Sequence, residues 1–437
     1  MSRDKVDVVV IGAGAAGLAA AGALHDAGVD VVVLEARERV GGRIFTQRTS
    51  RSPVPIELGA EFTHGRTPEL DRVLRSAGIS TIDISGQRYA AQARSLRPMD
   101  DFWERLDRVM RLLVRERRDR SFHEFLAERP GGKRLTIERR LARQWVEGFH
   151  GADPKQISVR ALADGGWPGD DVEEQRQGRV DGGYDRVVEA LATRLANRVR
   201  VGAVVARVKW SRGRVEVFVR HSDGRLRLGA EARSAIVAVP LGVLKAPAGE
   251  PGAIEFVPAL RQKQHALDHL AVGSVVRVTL HLRERVWASE YERLAFLHSM
   301  RNEDFPVWWT AYPVLAPVIT GWCGGPRARR LAQLPPRELE AHAIASLSRQ
   351  LQLSPQRMRR LVAAAWTHDW EHDPFARGAY SYQTVGGAEA PRALSRPMQR
   401  TLFFAGEATD TGGATGTVDG AISSGRRAAR QAIRASS

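Results

Sequence analysis

Residues 6–43 read VDVVVIGAGAAGLAAAGALHDAGVDVVVLEARERVGGR, and this stretch decides the fold. Residues 6–11 are an unbroken apolar run of strand length, as a strand buried on both faces requires. Gly12-Ala13-Gly14-Ala15-Ala16-Gly17 follows, then Leu18 to Ala27 reads as a helix ended by Gly28, and residues 30–34 as a second strand. Strand, glycine turn, helix and strand in that order make a βαβ unit. A GxGxxG pattern is a weak signal alone, but here it follows a strand and opens a helix. Gly12 then permits the tight turn, Gly14 lets backbone approach a pyrophosphate, and Gly17 allows close helix–strand packing. The helix amino terminus offers free N–H groups and partial positive charge to phosphates. Glu35 ends the second strand, where a carboxylate accepts both ribose hydroxyls and disfavours a 2′-phosphate. Gly41-Gly42-Arg43 comes soon after and suits a second pyrophosphate contact, which NAD dehydrogenases do not need.

Outward from this unit the chain alternates helical and strand patterns. Residues 100–146 are helical by pattern, with Phe102, Leu106, Val109, Leu112 and Leu113 on one face. Gly165, Gly166 and Pro168 begin a loop, and Gly182-Gly183 precede a helix from Tyr184 to Leu195. Residues 199–242 alternate as strands around the hairpin signals Arg212-Gly213 and Asp223-Gly224. Residues 272–282 (VGSVVRVTLHL) read as one strand, and Leu334-Pro335-Pro336 starts a helix through Leu351. The last segment pairs a strand, Thr401 to Ala405, with a glycine-rich loop and a closing helix from Val418 to Ile433.

The 437 residues, 43 % hydrophobic and 27 % charged, suit a globular chain of two or three domains. The single cysteine, Cys323, excludes a disulfide framework and a cysteine-only metal site, and reads as a small half-buried residue. No metal is called for. The opening MSRDKVDVVV lacks the long apolar stretch of a signal peptide, and residues 8–24 are short and glycine-punctuated for a membrane span. A soluble cytoplasmic protein is expected. The net charge of +16 rests on 60 arginines and only 6 lysines. They are densest between Arg94 and Arg143, where acids interrupt them and no nucleic-acid motif accompanies them, so a solvated face is expected and neither nucleic acid nor membrane as partner.

From residues 6–43 onward the sequence resembles the GR2 class of FAD enzymes, and specifically the flavin amine oxidase family. The resemblance continues through 56–65 (IELGAEFTHG), 180–195, 236–245, 370–382 and 402–426. FFAGEATDTGGATGTVDGAISSG is similar to polyamine oxidases and lysine-specific histone demethylases. The resemblance implies an α/β fold: a discontinuous FAD-binding domain (1–79, 179–258 and 384–437) and a substrate domain of mixed sheet flanked by helices (80–178 and 259–383). It implies that Arg43 binds the pyrophosphate, that Val205 meets the adenine through its backbone, and that Glu407 holds the ribityl or pyrophosphate region. It also places Ala16, Ala36, Arg37, Gly42, Gly59, Ala60, Glu61 and Gly406 against the cofactor. Thr417 and Val418 fall beside the isoalloxazine, with the closing helix dipole toward the flavin's N1 and O2. Where members with covalent flavin carry a cysteine, this chain has Ala379, so the FAD is expected to be non-covalent.

The chemistry implied is hydride transfer from the carbon beside an amine nitrogen to flavin N5, imine hydrolysis, and reoxidation by oxygen to give peroxide. An alkylamine has a pKa of about 10.4, so a dry aromatic site that favours its neutral form aids the reaction. His64, Trp370, Phe375, Tyr380 and Thr417 are expected to line that site, with Phe375 and Thr417 at the two places where monoamine oxidases set a tyrosine cage. A polyamine or secondary amine is therefore preferred over a small aromatic amine. Arg277 departs from the family, which carries lysine there, linked to N5 through water. A fixed charge with a planar fork can repel a cationic amine, stabilise reduced flavin, or bind a substrate carboxylate. It leaves open an L-amino-acid oxidase, or a desaturase or dehydrogenase using an acceptor other than oxygen. Without the demethylases' extra amino-terminal domain and coiled-coil insertion, chromatin work is not expected; a monomer or homodimer is.

Overall fold

The computed structural model describes residues 4–92, 95–165, 171–195 and 197–436; Gly166 and Pro168, expected to begin a loop, lie outside the described residues. The opening strand, Asp4–Ile11, sits between two parallel neighbours, Val31–Leu34 and the long strand Leu226–Val237. Val8, Val9 and Val10 have no exposed surface, which is why the run is apolar at every position rather than every other one. Val199–Arg200 extends this sheet beyond Val31–Leu34. On the other side the hairpin strands Arg214–Arg220 and Val204–Ser211 pair antiparallel, and Glu255–Val257 closes the edge. Leu402–Phe404 joins alongside residues 235–237, so Leu226–Val237 stands between the chain's last strand and its first. The helix Ala15–Asp26 packs against the closing helix Val418–Ser436, where a Cβ on Gly425 would meet the Ala16 carbonyl oxygen at 2.1 Å.

A second, seven-stranded sheet runs Val362–Trp366, Val275–Leu282, Val318–Gly324, Val307–Thr310, Leu294–Ser299, Gln87–Ala91 and Leu96–Pro98. Between the large sheets, Phe62–His64 pairs with Gln177–Val180, setting His64 opposite Gln177. The α/β fold class read from the sequence is what the chain adopts.

Three local expectations are corrected. The helical stretch 100–146 is three helices, Phe102–Val114, Phe122–Ala127 and Thr136–Phe149. A capping box between Ser121 and Glu124 starts the second, and Gly131 and Gly132, both at positive φ, separate it from the third. Residues 272–282 are not one strand: Leu270–Val272 pairs with Ser381–Gln383, while Val275–Leu282 enters the seven-stranded sheet. Gly273 makes the break, because a Cβ there would lie 3.0–3.1 Å from the carbonyl oxygens of Tyr380, Gly151 and His150. Cys323 is fully buried, not half-buried, because its strand turns it into the core beside Leu280 and Ala328; burial pushes its thiol pKa up.

The arginine-dense segment is laced with ion pairs as a solvated face requires, among them Arg105–Asp101, Arg108–Glu138 and Arg120 with Glu116 and Glu128. Among the described residues no helix is long and apolar enough to cross a membrane.

Candidate functional site

One cavity of about 570 Å³ runs from the glycine turn at Gly12 to an aromatic chamber beneath the second sheet. All the site residues expected from the sequence line it except Gly17. Gly17 acts from behind: a Cβ there would lie 1.9 Å from the Gly12 carbonyl oxygen, so the helix can approach the turn only without one.

The dinucleotide end is built by backbone geometry. Glu35 is buried, and its two carboxylate oxygens accept from the Ala13 N–H at 2.7 Å and the Arg37 N–H at 2.9 Å. The carboxylate is thus fixed beside the turn with lone pairs left for ribose hydroxyls. At Gly14 the nearest atom to an added Cβ is the Gly41 carbonyl oxygen at 4.0 Å, so this side of the turn is open. The first turns of Ala15–Asp26 and Val418–Ser436 open on the same space. Two helix termini, an oriented acid and an open glycine face fit a bound dinucleotide diphosphate.

Arginines tie the surrounding loops together. Arg43 pairs with Glu407 at 3.0 Å and donates to the Ala379 carbonyl, while Glu407 also accepts from the Ser381 hydroxyl at 2.7 Å. Arg37 pairs with Asp373 at 2.7 Å. Arg39, which the sequence did not single out, donates to the carbonyls of Val40, Gly42 and Ile44 and so shapes the second glycine turn. Burial, with Arg37 adding to it, lowers its pKa to about 10.

Around the chamber, Trp370 is buried and donates to the Leu58 carbonyl at 2.7 Å. Tyr380 donates to the Phe149 carbonyl at 2.7 Å and packs beside Gly416, next to Thr417. Thr417 caps the closing helix, its hydroxyl accepting from the Gly420 N–H at 3.0 Å and donating to the Ala414 carbonyl. Phe375 is placed elsewhere: its ring lies under the Arg37 guanidinium at 5.5 Å and against Gly252, at the dinucleotide end. The side chains that share the chamber's base are therefore Tyr380 and Thr417, not Phe375 and Thr417. The family resemblance implied a chamber position for Phe375, but the Asp373–Arg37 pair turns residues 373–375 toward the first sheet.

Arg277 is almost wholly buried; both terminal nitrogens of its fork are committed, while its Nε is buried without a partner among the described residues. One terminal nitrogen donates to the Gly59 carbonyl at 2.9 Å and the other to Glu61 at 2.8 Å. Glu61 also accepts from Arg179 at 2.8 Å and from the Trp309 indole at 3.0 Å. Burial alone raises a carboxyl pKa, but Arg179 and Arg277 together outweigh it and hold Glu61 below the usual range. Of the roles open to Arg277 in sequence, binding a substrate carboxylate with the whole fork is closed by this geometry. Glu61 likewise faces arginines rather than standing free toward a cofactor.

The chamber also contains groups no sequence signal exposed: Arg88, Gln177, Phe149, His298, Trp309 and Trp322. His64, His150 and His298 all line it and are held neutral, mainly by burial: His64 and His150 are pulled down to about 4 and His298 to about 3. The charge of Arg88 adds to the effect on His64 and His298. Their folded pKa values lie below the 6.5 of the free side chain, so between those values the unfolded chain takes up protons that the folded one refuses. Stability is therefore full above pH 6.5 and is lost as pH falls toward 4. Urea unfolding at pH about 5 should show a loss of roughly 2–4 kcal/mol relative to pH 7, after allowance for water in the chamber. Replacing His298 with glutamine should shrink that loss.

The family model described as flavin containing amine oxidoreductase matches residues 15–433. Polyamine oxidase 3 of Oryza sativa subsp. japonica is 30 % identical over 97 % of this chain and 88 % of the relative. Among solved structures, a wild-type putrescine oxidase bound to putrescine superposes with a TM-score of 0.82 at 22 % identity, covering 99 % of this chain and 100 % of that one. Cyclohexylamine oxidase from Brevibacterium oxydans IH-35A gives 0.80 at 22 % identity over the same shares. At that identity the structural likeness establishes the fold. The cofactor is FAD; with alanine at position 379 and Cys323 outside the cavity, no thiol is placed to attach it covalently. With the glycine turn, the buried acid Glu35 and the second glycine pair in one cavity, and the family model matching nearly end to end, the chain belongs to the flavin-containing amine oxidoreductases.

Proposed function

We propose that this enzyme oxidises the carbon–nitrogen bond of an amine held in the aromatic chamber, the imine then leaving to hydrolyse. The observation that carries the proposal is the continuity of the cavity, from the dinucleotide cradle at Gly14 to the chamber lined by His64, Tyr380 and Trp370. FAD bound there supplies an acceptor for the hydride that leaves the carbon beside nitrogen. The chain's own residues prepare the amine. Trp309, Trp322, Phe149 and Tyr380 wall the chamber and disfavour the ammonium form. His64 stays neutral and adds no charge against the incoming amine. The Thr417-capped helix aims its positive end at the cofactor side of the chamber, where it favours an electron-rich ring.

Division into a cofactor domain (1–79, 179–258 and 384–437) and a substrate domain (80–178 and 259–383) is part of the proposal. It is supported by the segregation of the two large sheets between those segments. Oxygen as the acceptor, with peroxide as its product, is also proposed. Mixing FAD-loaded enzyme with amines under anaerobic conditions should bleach the flavin absorbance, and admitting air should restore it with release of peroxide. Bleaching without recovery in air would instead favour a dehydrogenase using another acceptor. A flavin that no amine bleaches would end the proposal.

A further inference from the structure

Among the described residues six arginines line the cavity, and five have a carboxylate partner: Arg37 with Asp373, Arg43 with Glu407, Arg66 with Asp171, Arg176 with Asp83 and Arg277 with Glu61. Arg88 is the sixth, and among the described residues no carboxylate pairs with it. It stands on the strand Gln87–Ala91, in register with Phe296, inside the chamber. The centre of its guanidinium lies 4.1 Å from the Phe296 ring centre, 4.9 Å from that of Phe102 and 5.6 Å from that of Trp103. Its one hydrogen bond among the described residues runs from a terminal nitrogen to the Gln177 side-chain oxygen at 2.6 Å. That bond turns the Gln177 amide nitrogen toward His64 Nδ1, 3.3 Å away. His298, tilted against Phe102 with ring centres 5.1 Å apart, has a buried Nε2 with no partner among the described residues and lines the same chamber.

A cation inside an aromatic chamber loses hydration that ring faces replace only in part. Burial lowers the pKa of Arg88 to about 10, which still leaves it charged at neutral pH. Such a group repels the second ammonium of a diamine and attracts an anion. Its flat fork, with four of five N–H donors uncommitted, matches a carboxylate edge-on. The rim acid that would draw a polyamine, Glu174, is already paired with Arg66 at 2.8 Å.

Resting on the amine-oxidation proposal above, we infer that the substrate is an amine that also carries a carboxylate, which Arg88 holds at the end of the chamber away from the flavin. Amine and carboxylate are then separated by the span of Gln177 and His64, so the groups belong at opposite ends of the molecule rather than on one carbon.

The test compares alkylamines, α,ω-diamines and ω-amino acids of matched chain length, with α-amino acids as a further arm, by anaerobic flavin reduction on the FAD-loaded enzyme. At the best length, the ω-amino acid should exceed its matched amine and diamine by about 100-fold in kcat/KM. Arg88→Met should collapse that preference, and Arg88→Lys should keep part of it. The inference is overturned if the wild-type enzyme prefers the diamine or the plain amine, or if Arg88→Met lowers every substrate by the same factor, as a purely structural arginine would. Should no amine of any class reduce the flavin, the functional proposal fails by itself. The anion site is then read from simple alkyl carboxylates: a saturable perturbation of the flavin spectrum lost in Arg88→Met sustains it, and no perturbation of the wild type overturns it.

Discussion

Gly14→Val should yield a folded, colourless protein. The open face at Gly14, where an added Cβ meets nothing nearer than 4.0 Å, leaves room for a side chain when the cavity holds no cofactor. Its φ of −76° with extended ψ suits any residue, so the backbone is not strained. The same side chain occupies the space through which the turn and the first N–H groups of Ala15–Asp26 would reach the pyrophosphate. Overpacking and lost charged hydrogen bonds together should weaken FAD by about 4 kcal/mol, or a thousandfold. The ratio of flavin to protein absorbance after purification, with far-ultraviolet circular dichroism as the control for folding, measures both halves of the expectation. Gly17→Ala should behave oppositely and damage the fold itself, because its Cβ would lie 1.9 Å from the Gly12 carbonyl oxygen. If Gly14→Val purified yellow with a full complement of FAD, the pyrophosphate would not lie against that turn.

Glu61→Ala should be the most damaging single change in the chamber wall. Its carboxylate sits between Arg179 and Arg277 with the Trp309 indole as third donor, and its side chain is only 10 % exposed. Arg179 also holds the carbonyls of Thr310 and Tyr312, and Arg277 that of Gly59. The one acid thus joins the Gly59 loop to the seven-stranded sheet. Removing it leaves two buried guanidinium groups facing each other without compensation, which costs about 3–5 kcal/mol. Glu61→Gln keeps acceptor oxygen and shape while losing the charge, and should fall between wild type and alanine. The midpoint and slope of urea unfolding, measured with FAD bound, separate these outcomes. An alanine variant as stable as wild type would mean that water or a rearranged acid balances the arginines. Arg277 would then be free to act on a ligand after all.

The contrast between Arg277 and Arg88 shows how far residue identity carries. Both are arginines on strands facing one cavity. Arg277 was conspicuous in sequence because it departs from the family's lysine, and three roles were open to it. Glu61, 216 positions away, closes one of them. Arg88 lies in a five-residue strand whose pattern gave no signal, and nothing nearby in sequence marks it. Among the described residues it is set apart by lacking an acid where the cavity's other arginines each have one.

The α/β class, the family, the glycine turn and the order of most strands and helices were legible in the residues alone. Those features are written in contiguous stretches, where backbone constraints translate directly into residue types. A turn that a Cβ would block demands glycine, a strand covered on both faces demands an apolar run, and a ribose demands an acid at the strand's end. The chamber came from folding alone. Phe375 and Trp370, five positions apart, end in different parts of the cavity because Arg37 pulls Asp373 toward the first sheet at 2.7 Å. His64 becomes a neutral histidine because three distant segments, bearing Arg88, Phe149 and Gln177, close around it. A side chain's charge, protonation and freedom to meet a ligand depend on partners brought together by folding, and no local pattern of residues encodes them.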